Sequence, residues 1–222
     1  TKPVTRQQLV DLATNSIKNY SSNIYPSLVD WLDEGQIDIV RRTECLTDTK
    51  NLASIDGTRE YALGTDVMKI LAVHYNSLEV QPATIEQMNY YAAYPAETAE
   101  GTPTHYYIKM TTNPLIGFTP VPSTSDLVIA VHYVKRPDTL LTSTNDPVIP
   151  EQFQRLIVKF AMYNCLIKDV KVDTLTLWQK EYLDGVNRMA EEIRNFDKKK
   201  SKRMEPYGTE HKRKSMKAYS GR

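Results

Sequence analysis

Cysteine is scarce in this chain. The sequence has two cysteines among 222 residues, Cys45 and Cys165, and they are isolated from each other with no C-x-x-C pair. The spacing favours two unlinked thiols, with a disulfide or a metal pair as the alternative. The expectation is two ordinary buried thiols in a protein made in a reducing compartment.

The chain also lacks a long apolar run. No segment approaches the roughly 18 apolar residues of a transmembrane helix. The first residues, TKPVTRQQLV, contain no apolar core of a signal peptide. Hydrophobic residues make up 41% of the chain and charged residues 25%, which is typical of a globular protein with a substantial core. We therefore expect no membrane association.

Enzyme motifs are missing as well. The sequence contains no G-x-x-x-x-G-K-[ST], G-x-G-x-x-G, G-x-S-x-G or H-E-x-x-H pattern. The four histidines are scattered, with His74 and His132 in strand-like segments, His105 at the start of another and His211 near the C-terminus. A metal site would need such residues to converge with carboxylates. The sequence therefore indicates no catalytic site, cofactor or metal.

Negative charge is nearly absent from the C-terminal end. Residues 197–222 carry ten Lys and Arg residues against three acidic ones, a net charge of +7. Because the whole chain carries +1, residues 1–196 carry +1 − 7 = −6. Blocks of like charge are usually solvated interaction arms. Such an arm suits an acidic neighbouring copy of the chain in a homo-oligomer, and it also suits nucleic acid.

Phenylalanine and tryptophan are rare, whereas tyrosine is abundant. The chain has 14 Tyr against 4 Phe and 2 Trp. Tyrosine is enriched at protein interfaces because it combines apolar area with a hydroxyl that tolerates water. Five tyrosines cluster in the middle of the chain: Tyr90, Tyr91, Tyr94, Tyr106 and Tyr107. They are predicted to contact other subunits or tail proteins, and the alternative is that they form a tyrosine-rich rim of a sheet. The cluster is not rich in Lys or Arg, which argues against RNA binding there.

Helical patterns occupy both ends of the body. Thr5 and Gln8 form a capping-box pattern, which predicts a helix from Thr5 to Asn19. Pro26 and Ser27 open a second helix, in which Gly35 either marks a close crossing of another backbone or is a weak point. An acidic stripe on this helix is either a solvated face or a docking face for a basic partner: Asp30, Asp33, Glu34 and Asp38.

The middle of the chain has the texture of short strands. Asp56-Gly57 lies between two short runs and predicts a two-residue β-hairpin. In DLVIAVHYV, residues 126–134, both alternating faces are apolar, which predicts a central strand covered on both sides. Beyond it, Pro150 and Asp173 open two further amphipathic helices.

These patterns together predict an α+β fold. Helices from both chain ends form a bundle, an antiparallel, sandwich-like β insertion lies between them, and an extended basic tail follows. The predicted boundaries are 1–50 for the N-terminal helices, 51–135 for the β insertion, 136–196 for the C-terminal helix pair and 197–222 for the tail.

The order of several segments resembles that of the head-to-tail adaptor (connector) proteins of tailed bacteriophages. A helix that ends in basic residues is predicted in LVDWLDEGQIDIVRRTECL. It is followed by a strand with the pattern Tyr-x-Leu in GTREYALGTDVMKILAVHY. GTPTHYYI supplies a Gly-x-Pro-x-x-Tyr stretch, and PLIGFTPVP a Pro-x-Pro strand. The Ile-Pro of DPVIPEQF opens the C-terminal helix pair, and the likeness covers residues 27–196. The proline often found after Tyr-x-Leu is replaced here by Gly64.

The resemblance implies a structural protein of the virion, located at the head-tail junction and made in the bacterial host cytoplasm. Such adaptors form a ring, commonly a dodecamer, beneath the portal protein, and tail tube, nozzle or fibre proteins bind below. The genome passes through the lumen, so contact with DNA there is possible. The family has no catalytic residue to carry over.

The basic tail then has two competing interpretations. Ordering about 26 residues costs on the order of 25–50 kcal/mol, and the few apolar anchors recover about 10 kcal/mol, so a lone chain cannot hold the tail in place. As an assembly strap, it would dock on the portal and neighbouring subunits through one set of residues: Lys198, Lys199, Lys200, Lys202, Arg203, Met204, Tyr207, Lys212, Arg213, Lys214, Met216 and Tyr219. The alternative is a nucleic-acid-binding protein whose basic arm neutralises phosphates.

Overall fold

The computed structural model describes residues 5–18, 27–87, 100–139, 146–168 and 172–202. Its helices are α1 (Arg6–Lys18), α2 (Leu28–Thr43), α3 (Arg155–Lys168) and α4 (Val172–Lys202), and a 3-10 turn, Glu151–Phe153, precedes α3. The strands lie between α2 and that turn: β1 (Thr47–Ala53), β2 (Glu60–Ala62), β3 (Val67–Tyr75), β4 (Leu78–Glu79), β5 (Gln81–Pro82), β6 (Glu100–Gly101), β7 (His105–Lys109), β8 (Leu115–Thr119), β9 (Val121–Pro122) and β10 (Val128–Lys135). The α+β class is therefore confirmed.

The capping box that the sequence predicts at the start of α1 is present. The backbone N–H of Gln8 donates to Thr5 Oγ1 at 3.3 Å, and the N–H of Thr5 donates to Gln8 Oε1 at 2.9 Å. Each side chain thus satisfies one backbone donor that the first helical turn would leave unpaired. Leu9, Ala13 and Ile17 follow at helical spacing and are buried.

Helices from both ends of the chain pack around one apolar core. Helix α3 contacts α1, α2 and α4, and α2 also contacts α4. The core of this helical part includes Leu32, Ile39, Ile157, Met162 and Met189. Because α3 is the shared neighbour, residues distant in sequence are brought onto one helix surface.

Gly35 marks a close approach, though of a side chain rather than of another backbone. A Cβ built on Gly35 would lie 3.0 Å from Phe160 Cδ1 and 3.1 Å from Phe160 Cβ. The glycine therefore lets the Phe160 ring of α3 lie directly on α2. The helix-propensity cost of a glycine, about 1 kcal/mol, accompanies this contact.

The acidic stripe of α2 is divided between packing and solvent. Asp38 Oδ2 accepts a 2.7 Å hydrogen bond from the Tyr182 hydroxyl of α4 and a 2.7 Å ion pair from Arg42 Nε. Asp33 is buried, whereas Asp30 and Glu34 are exposed. Neither of the predicted roles describes the whole stripe, because Asp38 ties α2 to α4.

The strands form two four-stranded sheets and a short two-stranded pair. The first sheet has the order β1-β10-β3-β4, the second has the order β2-β8-β7-β5, and β6 pairs with β9. The ladders of the first sheet and those joining β2, β8 and β7 are antiparallel, as expected, while β5 with β7 and β6 with β9 are short parallel pairs. Both large sheets contribute to one apolar cluster, which includes Val73, Tyr75, Phe118, Ile129 and Val131.

The hairpin predicted at Asp56-Gly57 is wrong. The two residues do form a turn, with Gly57 at φ +70°, but β1 before the turn pairs with β10 and β2 after it pairs with β8. The chain thus crosses from one sheet to the other at this point. The Tyr61 hydroxyl donates to the carbonyls of Ile55 and Thr58, which holds the crossing segment in place.

β10 is central, as its two apolar faces predict, but the two faces are covered unequally. It lies between β1 and β3, and Ile129, Val131 and Tyr133 are buried on the inner face. On the outer face, Val134 is 1% exposed, but His132 is half-buried and Val128 is 52% exposed. The expectation of cover on both sides is therefore met at the Val134 end of the strand and is wrong at the Val128 end.

Helix α4 runs past the boundary predicted at residue 196. It continues through Lys202, so residues 197–202 are helical and not extended. Lysine has good helix propensity, and positive charges interact favourably with the C-terminal end of the helix dipole. Residues 203–222 lie outside the described residues, as do Tyr90, Tyr91 and Tyr94.

Replacing Tyr182 with Phe should lower the free energy of unfolding by about 2 kcal/mol, because the change removes a hydrogen bond to a charged carboxylate and keeps the ring. Urea titration of the full chain measures this value. Tyr163→Phe, a half-buried tyrosine of α3 outside the Asp38 contact, is the matched control and should change it by less than about 0.5 kcal/mol. Equal effects of the two substitutions would contradict the role of the Tyr182 hydroxyl.

Candidate assembly surfaces

Tyr106 and Tyr107 are adjacent on β7 and therefore point to opposite faces of the second sheet. Tyr106 is 8% exposed and belongs to the apolar cluster between the two large sheets. Tyr107 is 7% exposed and stands directly opposite Gly117 on β8. Both predicted contact residues are therefore buried within the single chain.

The environment of Tyr107 is built from three partners. Its ring lies where a side chain on Gly117 would be, so the glycine makes room for the ring. Its hydroxyl donates to Glu60 Oε1 at 2.7 Å, and the Arg59 guanidinium lies 5.6 Å from the ring centroid. Burial, together with the hydrogen bond to Glu60, raises the pKa of Tyr107 to about 12. These contacts give Tyr107 an internal role that joins β2, β7 and β8.

An apolar groove of about 630 Å³ opens beside Tyr106, between β3, β7 and the segment after β5. We call it the β groove. Its exposed rim includes Met110, which is 80% exposed, and Ile85. Its lining is mostly aliphatic and includes Val67, Met68, Ile70, Ile108 and Pro114. Sequence reasoning did not single out these residues, because none of them forms a motif and they meet only when β3 and β7 are brought together.

A second exposed apolar feature lies at the end of α4. The stripe Met189, Ile193 and Phe196 has helical spacing, and its members go from buried to half-buried to exposed. Phe196 is 72% exposed. The helix then continues to Lys202 through Lys198, Lys199 and Lys200, which the sequence predicted as docking residues. We call residues 193–202 the α4 end.

The outer face of the first sheet carries polar groups. Thr49 Oγ1 lies 2.8 Å from His132 Nδ1, and the His132 and His74 rings make an edge contact with centroids 5.2 Å apart. Nδ1 of His74 is buried without a hydrogen-bond partner. Strand β1 forms the edge of this sheet and has most of its residues exposed.

A metal-binding cluster and a membrane-spanning helix are both lacking among residues 5–18, 27–87, 100–139, 146–168 and 172–202. Within those ranges, no group of three or more His, Cys, Asp or Glu side chains is arranged to hold a metal ion. Over the same ranges, no helix combines the length and apolar character needed to cross a membrane.

Replacing Gly117 with Ala should destabilise the β part by about 1–3 kcal/mol, because the added methyl group displaces the Tyr107 ring from its contacts. Thermal or urea unfolding measures the loss. Gly101→Ala is the matched control, since its Cβ would meet only Pro120 at the ordinary distance of 3.7 Å. If the two variants unfolded at the same denaturant concentration, the packing role of Gly117 would be refuted.

Stability should fall as pH rises above about 10, the pKa of tyrosine in an unfolded chain. Between that pH and the folded pKa of Tyr107, about 12, the unfolded state loses a proton that the folded state keeps. Each such tyrosine adds a downward slope of at most roughly 1.4 kcal/mol per pH unit. Tyr107→Phe should therefore show a shallower decline from pH 10 to 12 in urea titrations, and an unchanged slope would contradict this assignment.

Two comparisons with known proteins bear on the identity of this α+β chain. No curated protein matches the sequence. The sequence profile of the SU10 adaptor protein family matches residues 5–205, which include α1 through α4 and all the strands between them. The match confirms the resemblance to phage head-to-tail adaptors, and the chain belongs to the SU10 adaptor protein family.

Proposed function

We propose that this chain is a structural component of the head-tail junction of a tailed phage, where copies of it form a ring between the portal and the tail. The observation that carries the proposal is the family match over residues 5–205. A phage adaptor is a structural protein of the virion. The proposal extends to a ring of copies, commonly twelve in such adaptors, with the portal on one side and tail proteins on the other.

The shape of the described surface supports a ring. Two of the exposed apolar features among the described residues, the β groove and the α4 end, lie on different elements of the chain. An interface between two different surfaces is heterologous, and repeating it around an axis closes a ring when the rotation permits. A two-fold dimer would instead need one surface that is complementary to itself.

The basic C-terminal segment supports docking on the portal and on neighbouring subunits. Residues 197–222 carry +7 against −6 for the rest of the chain, so the segment of one copy is attracted to the body of the next. The proposed anchors of this strap are Tyr207 and Tyr219, and its Lys and Arg residues would contact acidic rims. The β part would face outward or tailward, towards tail tube, nozzle or fibre proteins.

The test is assembly with the portal protein of the same phage, followed by native mass spectrometry. The full chain should form a cyclic complex with the portal. A chain ending at residue 202 should keep its far-UV circular dichroism and its unfolding midpoint but bind the portal at least tenfold more weakly, since it lacks the strap. A full chain that stays monomeric, both alone and with the portal, would refute the proposal.

DNA binding by the basic segment is the competing function, and the same truncation separates the two. Binding through phosphate contacts weakens steeply with salt. Titration with duplex DNA at two salt concentrations should show little binding by either chain if the segment serves assembly. Tight, salt-sensitive binding that disappears with residues 203–222, while portal assembly persists, would establish the alternative instead.

A further inference from the structure

We propose that the α4 end of one copy docks in the β groove of the neighbouring copy, with Phe196 as the apolar anchor. This inference rests on the proposed ring, and it names the two surfaces that would meet in each subunit contact. The occupant of the groove is thus a second copy of this chain. The reasons are the exposure of the two surfaces and their complementary charge.

The α4 end has the form of a ligand for an apolar groove. Phe196 continues the stripe that buries Met189 and half-buries Ile193, but it lies beyond the core and is 72% exposed. An exposed side chain of this size at the end of a regular helix is a ready anchor for another surface. Its exposure also shows that it does not occupy the β groove of its own chain.

The β groove has the form of a receptor for such an anchor. Its lining is apolar, and its methionines, Met68 and Met110, are flexible side chains that can adapt to an aromatic ring. Met110 is 80% exposed on the rim, so filling the groove would cover apolar surface that the single chain leaves in water. Docking of Phe196 in the β groove would therefore cover exposed apolar side chains on both surfaces, Phe196 on one and Met110 and Ile85 on the other.

Charge favours the same pairing. Glu86 lines the β groove and is exposed, and Glu79 lies close enough to Tyr106 that, after burial, it contributes to raising the pKa of that tyrosine. Neither carboxylate takes part in an ion pair between described residues, whereas Lys69, the basic residue in the groove lining, is ion-paired with Glu44 at 2.6 Å. On the other side, residues 193–202 contain five basic residues, Arg194, Lys198, Lys199, Lys200 and Lys202, against one acidic residue, Asp197, a net charge of 5 − 1 = +4. The acidic rim therefore matches the basic end of the helix.

The contact is heterologous, which gives it a directional test. Asn195→Cys places a thiol next to Phe196, and Thr84→Cys places one on the groove; both positions are exposed. Full-length chains carrying one change each are mixed, and the disulfide between them is followed under mild oxidation. It should form roughly tenfold faster than between Asn195→Cys and Val128→Cys, a control on the exposed outer face of the first sheet, because docking raises the local thiol concentration.

Phe196→Ser in the Asn195→Cys chain should lower the rate of cross-linking to Thr84→Cys to that of the Val128→Cys control. Leu177→Ser in the same chain should leave the faster rate unchanged. Leu177 is 56% exposed on the same helix, and its substitution thus removes a comparable apolar side chain away from the α4 end. Both positions are exposed, so neither change is expected to unfold the chain. Cross-linking to Val128→Cys as fast as to Thr84→Cys, or indifference to Phe196→Ser, would overturn the inference.

Charge reversal provides an independent measurement. Glu86→Lys in the chain with the groove cysteine should slow the cross-link several-fold, and Lys199→Glu in the partner chain should restore much of the rate. Failure of restoration would count against an ionic contact at this rim. A full chain that assembles with the portal but shows none of these effects would overturn this docking and leave the proposed function intact, while absence of portal assembly would refute the proposed function itself.

Discussion

The side-chain amide of Gln36 is the contact on which the arrangement of this chain depends. It is 2% exposed, its Nε2 donates to the carbonyl of Asp138 at 3.1 Å, and its Oε1 accepts from the N–H of Val148 at 3.2 Å. A buried amide is costly unless both of its ends are satisfied. Here one partner, Asp138, follows β10, and the other, Val148, precedes the 3-10 turn that leads into α3. The amide therefore holds the segment that precedes α3 against α2.

Other contacts hold β10 and β3 close to the C-terminal end of α2. The N–H of Lys135, at the end of β10, donates to the carbonyl of Leu46 at 2.9 Å, and Lys69 of β3 forms a 2.6 Å ion pair with Glu44, the residue after α2. The strands therefore leave and return beside the end of α2, and β10 completes its sheet before the chain re-enters the helices. With the helices and sheets held together by these contacts, the β groove and the α4 end are preformed surfaces. Preformed surfaces suit a structural role in an assembly.

Local signals in the sequence predicted local structure well. The Thr5-Gln8 capping box, the helix opened by Ser27 and the central position of β10 are all confirmed. The Asp56-Gly57 hairpin failed because a turn signal specifies a bend and not which strands pair afterwards. β1 pairs with β10, a strand more than 70 residues later in the chain, and no local signal in the sequence specifies that pairing.

The sequence by itself determined the fold class, the charge asymmetry and the family, because residue type, periodicity and segment order are local or additive properties. Only the tertiary structure decided which apolar side chains remain uncovered. Tyr106 and Tyr107 are indistinguishable from surface tyrosines in the sequence, yet the sheet core and Gly117 cover them. Phe196 continues a core stripe, yet it is exposed because α4 outruns the core it packs on. Periodicity specifies which face of an element is apolar, but the partner that covers the face is specified by the rest of the fold.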